Sequence, residues 1–220
     1  MTANSKMWRT AGLVLGAMTG LAASVLADAK VNLADGFDFP VGKPNAAGYY
    51  KARGMRLREP AQHYGEDWNG RSGGDTDLGD PVYAAADGVV TFAHDVQLGW
   101  GNVVLTRHAF RDPATGQVRV IDTLNGHLDK IMVKEGQLIK RGQQIGTIGT
   151  AHGHYPAHLH FEIRLNLNTG MQRSSVPADL SNWADPTEFI NKYRKLNREW
   201  SQVAVPTGTY QEYAGFKGLH

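Results

Sequence analysis

The chain of 220 residues contains no cysteine. This absence excludes disulfide bridges, thiol catalysis, thiolate metal ligands and a lipid-modified cysteine near the N-terminus. Any metal site must therefore use histidine, aspartate and glutamate side chains. Net charge is also small: the formal value is +2 and the isoelectric point is near 8.8. That balance is too weak to indicate nucleic-acid binding, and we expect no nucleic-acid partner.

Long apolar runs are scarce. The one candidate extends from Ala11 to Leu26, which is shorter than the roughly 20 residues of a membrane span. Basic residues precede it and an alanine-rich segment follows at 27–29, a layout typical of a secretory signal peptide. We expect residues 1–27 to be removed and the mature chain, with no stable membrane anchor, to be exported, most simply to a periplasm. An uncleaved membrane anchor is the alternative.

Short β-rich runs separated by glycine or aspartate turns fill the chain from Pro81 to Ile163. They predict a mainly β protein, a compact antiparallel sheet or sandwich, because βαβ units would need helical segments between the strands. One C-terminal helix is expected at about 186–200, since Asp185 suits the N-cap and Pro186 the first helical position. The expected domains are a lead-in at 28–60, a main domain at 61–165 and a C-terminal extension at 166–220.

The most informative segment is residues 158–163, His-Leu-His-Phe-Glu-Ile. Its alternation predicts a strand with His158, His160 and Glu162 on one face and apolar side chains on the other. Several imidazoles on one face are hard to explain structurally, since burying them without partners is costly. Glu162 has two open interpretations, a carboxylate that orients a neighbouring imidazole or a solvated strand-end residue.

A second group lies at His63 and Asp67, which share parity in an extended segment; Gly65 between them disfavours a helix. Two histidines and one aspartate with an open fourth position form the ligand set of a catalytic zinc site. Spacing alone leaves open which of His158 and His160 binds, and whether a third histidine also binds.

Three ordered motifs now stand together: His-Tyr-Gly-Glu-Asp at 63–67, Gly-His-Leu at 126–128 and His-Leu-His-Phe-Glu at 158–162. Over about residues 61–165 the chain resembles the lysostaphin/LytM-type zinc endopeptidases, which cut peptide cross-bridges of bacterial peptidoglycan. The resemblance implies a secreted zinc enzyme of antiparallel β fold that hydrolyses peptidoglycan peptide stems with metal-activated water. It names neither the bond cut nor a regulatory protein.

Carried over residue by residue, the resemblance implies that His63, Asp67 and His160 bind zinc and that His127 and His158 are catalytic imidazoles. Two departures from the family pattern affect the groove over the metal. Asn125 stands where an aromatic residue is usual, and the turn after Asp67 is longer than usual.

The other candidates are weaker. His152 and His154 are expected in a solvated loop, His108 in a structural role, and Asn102 is a candidate groove residue. Two other functions are compatible with parts of the sequence. One is a non-catalytic wall-binding or hydrolase-activating protein of the same fold. The presence of all five candidate site residues argues against it. The other is a lipoyl- or biotinyl-like carrier domain, suggested by residues 87–90. This interpretation leaves the paired histidines without a role.

Overall fold

The computed structural model describes residues 28–55, 63–97, 99–171 and 180–209; the expected signal segment 1–27 lies outside this part of the chain. Strands dominate the described residues. They are β1 Ala29–Asn32, β2 Tyr49–Arg53, β3 Glu66–Gly70, β4 Pro81–Tyr83, β5 Gly88–Asp95, β6 Asn102–Arg111, β7 Val118–Ile131, β8 Leu138–Ile139, β9 Gln144–Ile148, β10 Leu159–Arg164, β11 Trp183–Ala184 and β12 Gln202–Val205. Helical segments are a π-type turn at Gly42–Ala46, a 3₁₀ turn at Leu180–Asn182 and helix α1, Pro186–Lys192.

One large sheet carries most of the strands, in the order β2-β3-β10-β7-β6-β5-β8. Strand β9 joins β7 to β4, and β11 lies along the end of β10. A separate two-stranded sheet pairs β1 with β12. The named strands all pair antiparallel, which confirms the predicted mainly antiparallel β fold.

Strand β10 holds the predicted alternation. Its Leu159, Phe161 and Ile163 side chains are fully buried in the main hydrophobic core. The opposite face is fixed by register, because His160 pairs with Asp67 of β3 on one side and with Gly126 of β7 on the other. Residues directly opposite in an antiparallel pair share a face, so Asp67 and His160 project together.

Helix α1 begins as predicted but ends early. The Asp185 side chain accepts a hydrogen bond from the Glu188 backbone N–H at 2.9 Å, which is an N-cap. The predicted end near residue 200 is wrong, since the helix stops at Lys192. Leu196 still packs against the core, but from an irregular segment whose backbone N–H donates to the Asp35 carbonyl at 2.9 Å. In the described residues no helix is long and apolar enough to span a membrane.

Candidate metal centre

Three side chains from distant parts of the chain converge on one point. Asp67 Oδ1 lies 3.0 Å from His63 Nε2 and 2.9 Å from His160 Nδ1, and those two nitrogens are 3.1 Å apart. Among the described residues, this is the group of histidine and acidic side chains arranged to hold a metal ion.

The far side of each imidazole is bonded to an acceptor. His63 Nδ1 lies 3.0 Å from the Gly54 carbonyl oxygen, which can only accept, so this nitrogen carries the proton and Nε2 keeps its lone pair. His160 Nε2 lies 2.8 Å from Glu162 Oε1, and by the same argument His160 Nδ1 keeps its lone pair. Two nitrogen lone pairs and a carboxylate therefore converge within about 3 Å, an arrangement that a cation stabilises.

Electrostatics inside the site agree with this description. Burial opposes ionisation of Asp67, but the His160 and His63 rings that contact its carboxylate outweigh this effect and hold the pKa of the carboxyl well below its ordinary value. Burial lowers the pKa of His160, but the neighbouring carboxylates of Asp67 and Glu162 have the larger combined effect and raise it. The pocket is thus anionic and favours positive charge.

The donor set fits zinc. Two imidazole nitrogens and one carboxylate oxygen are ligand types that zinc binds, and tetrahedral bonds of about 2.0 to 2.1 Å place neighbouring ligand atoms about 3.3 Å apart. The observed separations of 2.9–3.1 Å need only small adjustment. Three protein ligands leave a fourth position open, as catalytic sites require.

Gly65 explains how His63 and Asp67 reach β10. A Cβ atom at this position would lie 2.2 Å from the Phe161 carbonyl oxygen and 2.8 Å from Glu162 Cγ. The glycine lets the segment between the two candidate ligands approach the β10 backbone more closely than any other residue permits.

His127 stands beside these three residues in a left-handed backbone conformation, with φ of +62°. Such a conformation is uncommon for a non-glycine residue and often marks a functional site. Its ring is 5.5 Å from that of His160, and its Nδ1 donates to the Trp100 carbonyl. Burial, together with the neighbouring His160 and His158, lowers the pKa of His127 to about 3. The imidazole is therefore neutral at physiological pH.

His158 completes the group. Its Nδ1 donates to the Pro156 carbonyl at 2.8 Å, and its Nε2 faces Asp67 Oδ1 at 3.7 Å. The His158 ring lies 4.8 Å from the His127 ring. The structure therefore brings all five sequence-predicted site residues together.

The other candidates from the sequence, His108, His152 and Asn102, lie outside this group of five residues. His108 is buried, with Nδ1 on the Asp87 carbonyl and Nε2 on Thr123 Oγ1, a structural role as expected. The exposed His152 pairs with Asp95, and Asn102 donates to the Leu128 and Asp129 carbonyls just after His127.

The longer turn after Asp67 does reach the site region. In it, Asp75 Oδ1 accepts a hydrogen bond from the Ala157 backbone N–H at 2.7 Å, immediately before His158. Asn125, in the position of the missing aromatic residue, is buried opposite Phe161, on the core side of the sheet.

Four residues near the site were not identified from the sequence. Arg164 continues the alternation of the β10 face, a signal that was available. Tyr155 precedes His158 by three residues, and its exposed ring lies 5.0 Å from the His127 ring. Trp100 and Trp183 come from distant segments, for which the sequence carries no local signal.

The fold and site together define a protein with a His–Asp–His group able to hold a metal ion and two further imidazoles on an antiparallel sheet. The sequence profile of peptidase family M23 matches residues 61–172, about half of the chain, and the chain belongs to this family.

The chain is also similar to individual proteins. ShyA of Vibrio cholerae, a peptidoglycan DD-endopeptidase, is 37% identical over 129 residues, covering 55% of this chain and 26% of ShyA. The cell division protein DipM of Caulobacter vibrioides is 38% identical over 86 residues, covering 39% of this chain. Among solved structures, lysostaphin from Staphylococcus simulans is 29% identical, with a TM-score of 0.46, over 66% of this chain and 50% of that chain. The chain spans only 13% of DipM and 26% of ShyA.

Proposed function

We propose that this protein is a zinc-dependent endopeptidase that hydrolyses the peptide cross-links of bacterial peptidoglycan. The observation that carries the proposal is the convergence of His63 Nε2, His160 Nδ1 and Asp67 Oδ1 within 3.1 Å, with His127 and His158 beside them. Membership of peptidase family M23 and the naming of ShyA as a peptidoglycan DD-endopeptidase support the substrate class.

In this proposal His63, Asp67 and His160 hold the metal. Bound zinc supplies a Lewis acid that polarises a carbonyl and lowers the pKa of water. In this proposal the protein supplies the proton transfers: the Nδ1–H of His127 is engaged by the Trp100 carbonyl, which leaves its Nε2 lone pair as the atom that accepts a proton. His158 presents Nε2 toward Asp67 and is the second imidazole able to pass a proton to the departing amine.

Purified peptidoglycan of several cross-link types tests the activity. Mass analysis of the released fragments should show cleaved peptide cross-links, abolished by a strong chelator and restored by zinc. Metal analysis should find about one zinc per chain in the wild-type protein and much less in His160→Ala and Asp67→Ala. Zinc content unchanged in both variants would refute the ligand assignment. Binding to sacculi without fragment release would favour the non-catalytic alternative.

We also propose that the protein works outside the cytoplasmic membrane, in a periplasm, because that is where peptidoglycan lies and because residues 1–27 have the layout of a signal peptide. N-terminal sequencing of the native protein after fractionation should find a start near Asp28 or Lys30. An intact Met1 chain in the cytosol would refute export, and one in the membrane fraction would support an uncleaved anchor.

A further inference from the structure

Glu162 is a fully buried carboxylate whose two oxygens have different tasks. Oε1 lies 2.8 Å from His160 Nε2, while Oε2 accepts hydrogen bonds from Arg164 Nε at 2.7 Å and from the Trp183 indole at 3.1 Å. Arginine and indole nitrogens only donate, so Oε2 must be an acceptor.

His160, Glu162 and Arg164 form a row along one face of β10. Side chains two apart on a strand share a face, and here hydrogen bonds join His160 to Glu162 and Glu162 to Arg164. At the other end, Asp67 Oδ1 of β3 lies 2.9 Å from His160 Nδ1. Arg164 is fixed in turn through the Thr169 carbonyl at 2.8 Å. The side chains of His160, Glu162 and Arg164 are each at most 2% exposed.

We propose that Glu162, held by Arg164 and Trp183, is a positioning residue that fixes the His160 ring with Nδ1 directed at the zinc site. This inference rests on the proposed function. The carboxylate accepts the Nε2–H and so selects the tautomer whose lone pair points toward Asp67 and His63. Because Arg164 and Trp183 occupy Oε2, Glu162 is unable to rotate away or to exchange its two oxygens freely.

Glu162→Gln is the decisive variant, since it keeps the shape but replaces one acceptor oxygen with an NH₂ donor. If the NH₂ faces Arg164 and Trp183, donors oppose donors. If it faces His160, the ring is driven to the opposite tautomer, with Nε2 as acceptor and Nδ1 protonated. Either arrangement weakens metal binding, and we expect the zinc Kd, measured by competition with a chromophoric chelator, to rise about 10- to 100-fold.

Glu66→Gln is the matched control. Glu66 is equally buried and accepts hydrogen bonds from Lys51, Thr187 and Trp68, but within the described part of the chain it forms no hydrogen bond with an imidazole. This variant should lose folding stability, measured by urea unfolding, while its zinc Kd stays within about twofold of wild type.

Trp183→Phe covers the case in which Glu162→Gln does not fold. It removes one donor to Oε2 and keeps an aromatic ring stacked on Tyr64. A smaller rise in zinc Kd, about 2- to 5-fold, is expected because Arg164 still holds the carboxylate. In zinc-loaded protein, ¹⁵N NMR should show His160 protonated at Nε2 in the wild type.

The outcomes separate the two proposals. A folded Glu162→Gln protein with wild-type zinc Kd would overturn the positioning role, as would a wild-type His160 ring protonated at Nδ1. Trp183→Phe with unchanged Kd alongside non-folding Glu162→Gln would show that the network is structural only. A wild-type protein that binds no zinc would instead refute the proposed function.

Discussion

The Trp100 carbonyl oxygen accepts two hydrogen bonds from His127, one from the backbone N–H at 2.9 Å and one from the ring Nδ1–H at 3.1 Å. Together they hold a residue whose φ of +62° is unfavourable for a side chain with Cβ. The ring is thereby oriented independently of the three candidate metal ligands. This independence makes the proposed catalytic and metal-binding roles separable by mutation.

His127→Ala and His158→Ala should therefore retain about one zinc per chain while losing peptidoglycan hydrolysis by on the order of 100-fold or more, because a proton-transfer group is removed. Zinc analysis and initial rates on purified peptidoglycan measure the two effects. His152→Ala, which changes an exposed histidine paired with Asp95, is the control and should remain active. If either site variant loses its zinc, that residue is a ligand and the partition of roles is wrong.

Gly65→Ala should damage the metal site without changing any ligand. Its Cβ would lie 2.2 Å from the Phe161 carbonyl oxygen, so β10 and the segment that carries His63 and Asp67 must move apart. We expect a loss of about 1 to 3 kcal/mol in the free energy of unfolding and a weaker zinc Kd.

Gly54→Ala is the control for that substitution, because no atom of the described residues lies within 4 Å of an added Cβ there and the carbonyl that accepts from His63 is kept. Urea unfolding and chelator competition should place it near wild type. A Gly65→Ala protein with wild-type stability and zinc affinity would show that the close approach of the strands is not required.

His108 predicts an acid-sensitive core. Burial lowers the pKa of His108 to about 4, while the unfolded chain has a value near 6.5. The unfolded state therefore binds a proton that the folded state does not, so this contribution to stability is complete above about pH 6.5 and is lost as pH falls toward 4. At pH 5 the loss, relative to a pH well above 6.5, is about 2 kcal/mol.

His108→Gln removes that titration. Urea unfolding of metal-free protein, in which zinc release plays no part, should give a shallower decline in stability below pH 6.5 for the variant than for wild type. Equal declines in the two proteins would assign the acid sensitivity to other groups.

Local patterns explain why much of this fold and site could be predicted. The alternation at 158–163 is visible because one β10 face is core and the other is the site. The register that sets His160 against Asp67 joins residues 93 positions apart, which no local pattern specifies. The predicted end of α1 was wrong because Leu196 has helical spacing. It reaches the core from a non-helical segment whose backbone N–H donates to the Asp35 carbonyl. Trp100 and Trp183 act through tertiary contacts alone.

The last prediction concerns how substrate is held. Tyr155 is 44% exposed, and its ring lies 5.0 Å from the His127 ring and 5.8 Å from the His158 ring. The ring therefore offers an exposed face beside the two imidazoles, on which we expect a bound peptide to pack.

Tyr155→Ala should therefore raise KM about 2- to 10-fold with little change in kcat, the range that corresponds to an aromatic contact of about 0.5 to 1.5 kcal/mol. Tyr155→Phe should resemble wild type because it keeps the ring. Trp200→Ala, which removes a highly exposed aromatic ring that packs on Arg198, serves as control. Steady-state kinetics on a soluble cross-linked peptide separate the alternatives: a fall in kcat for Tyr155→Phe, with KM unchanged, would place the hydroxyl in the chemistry and contradict a packing role for the ring.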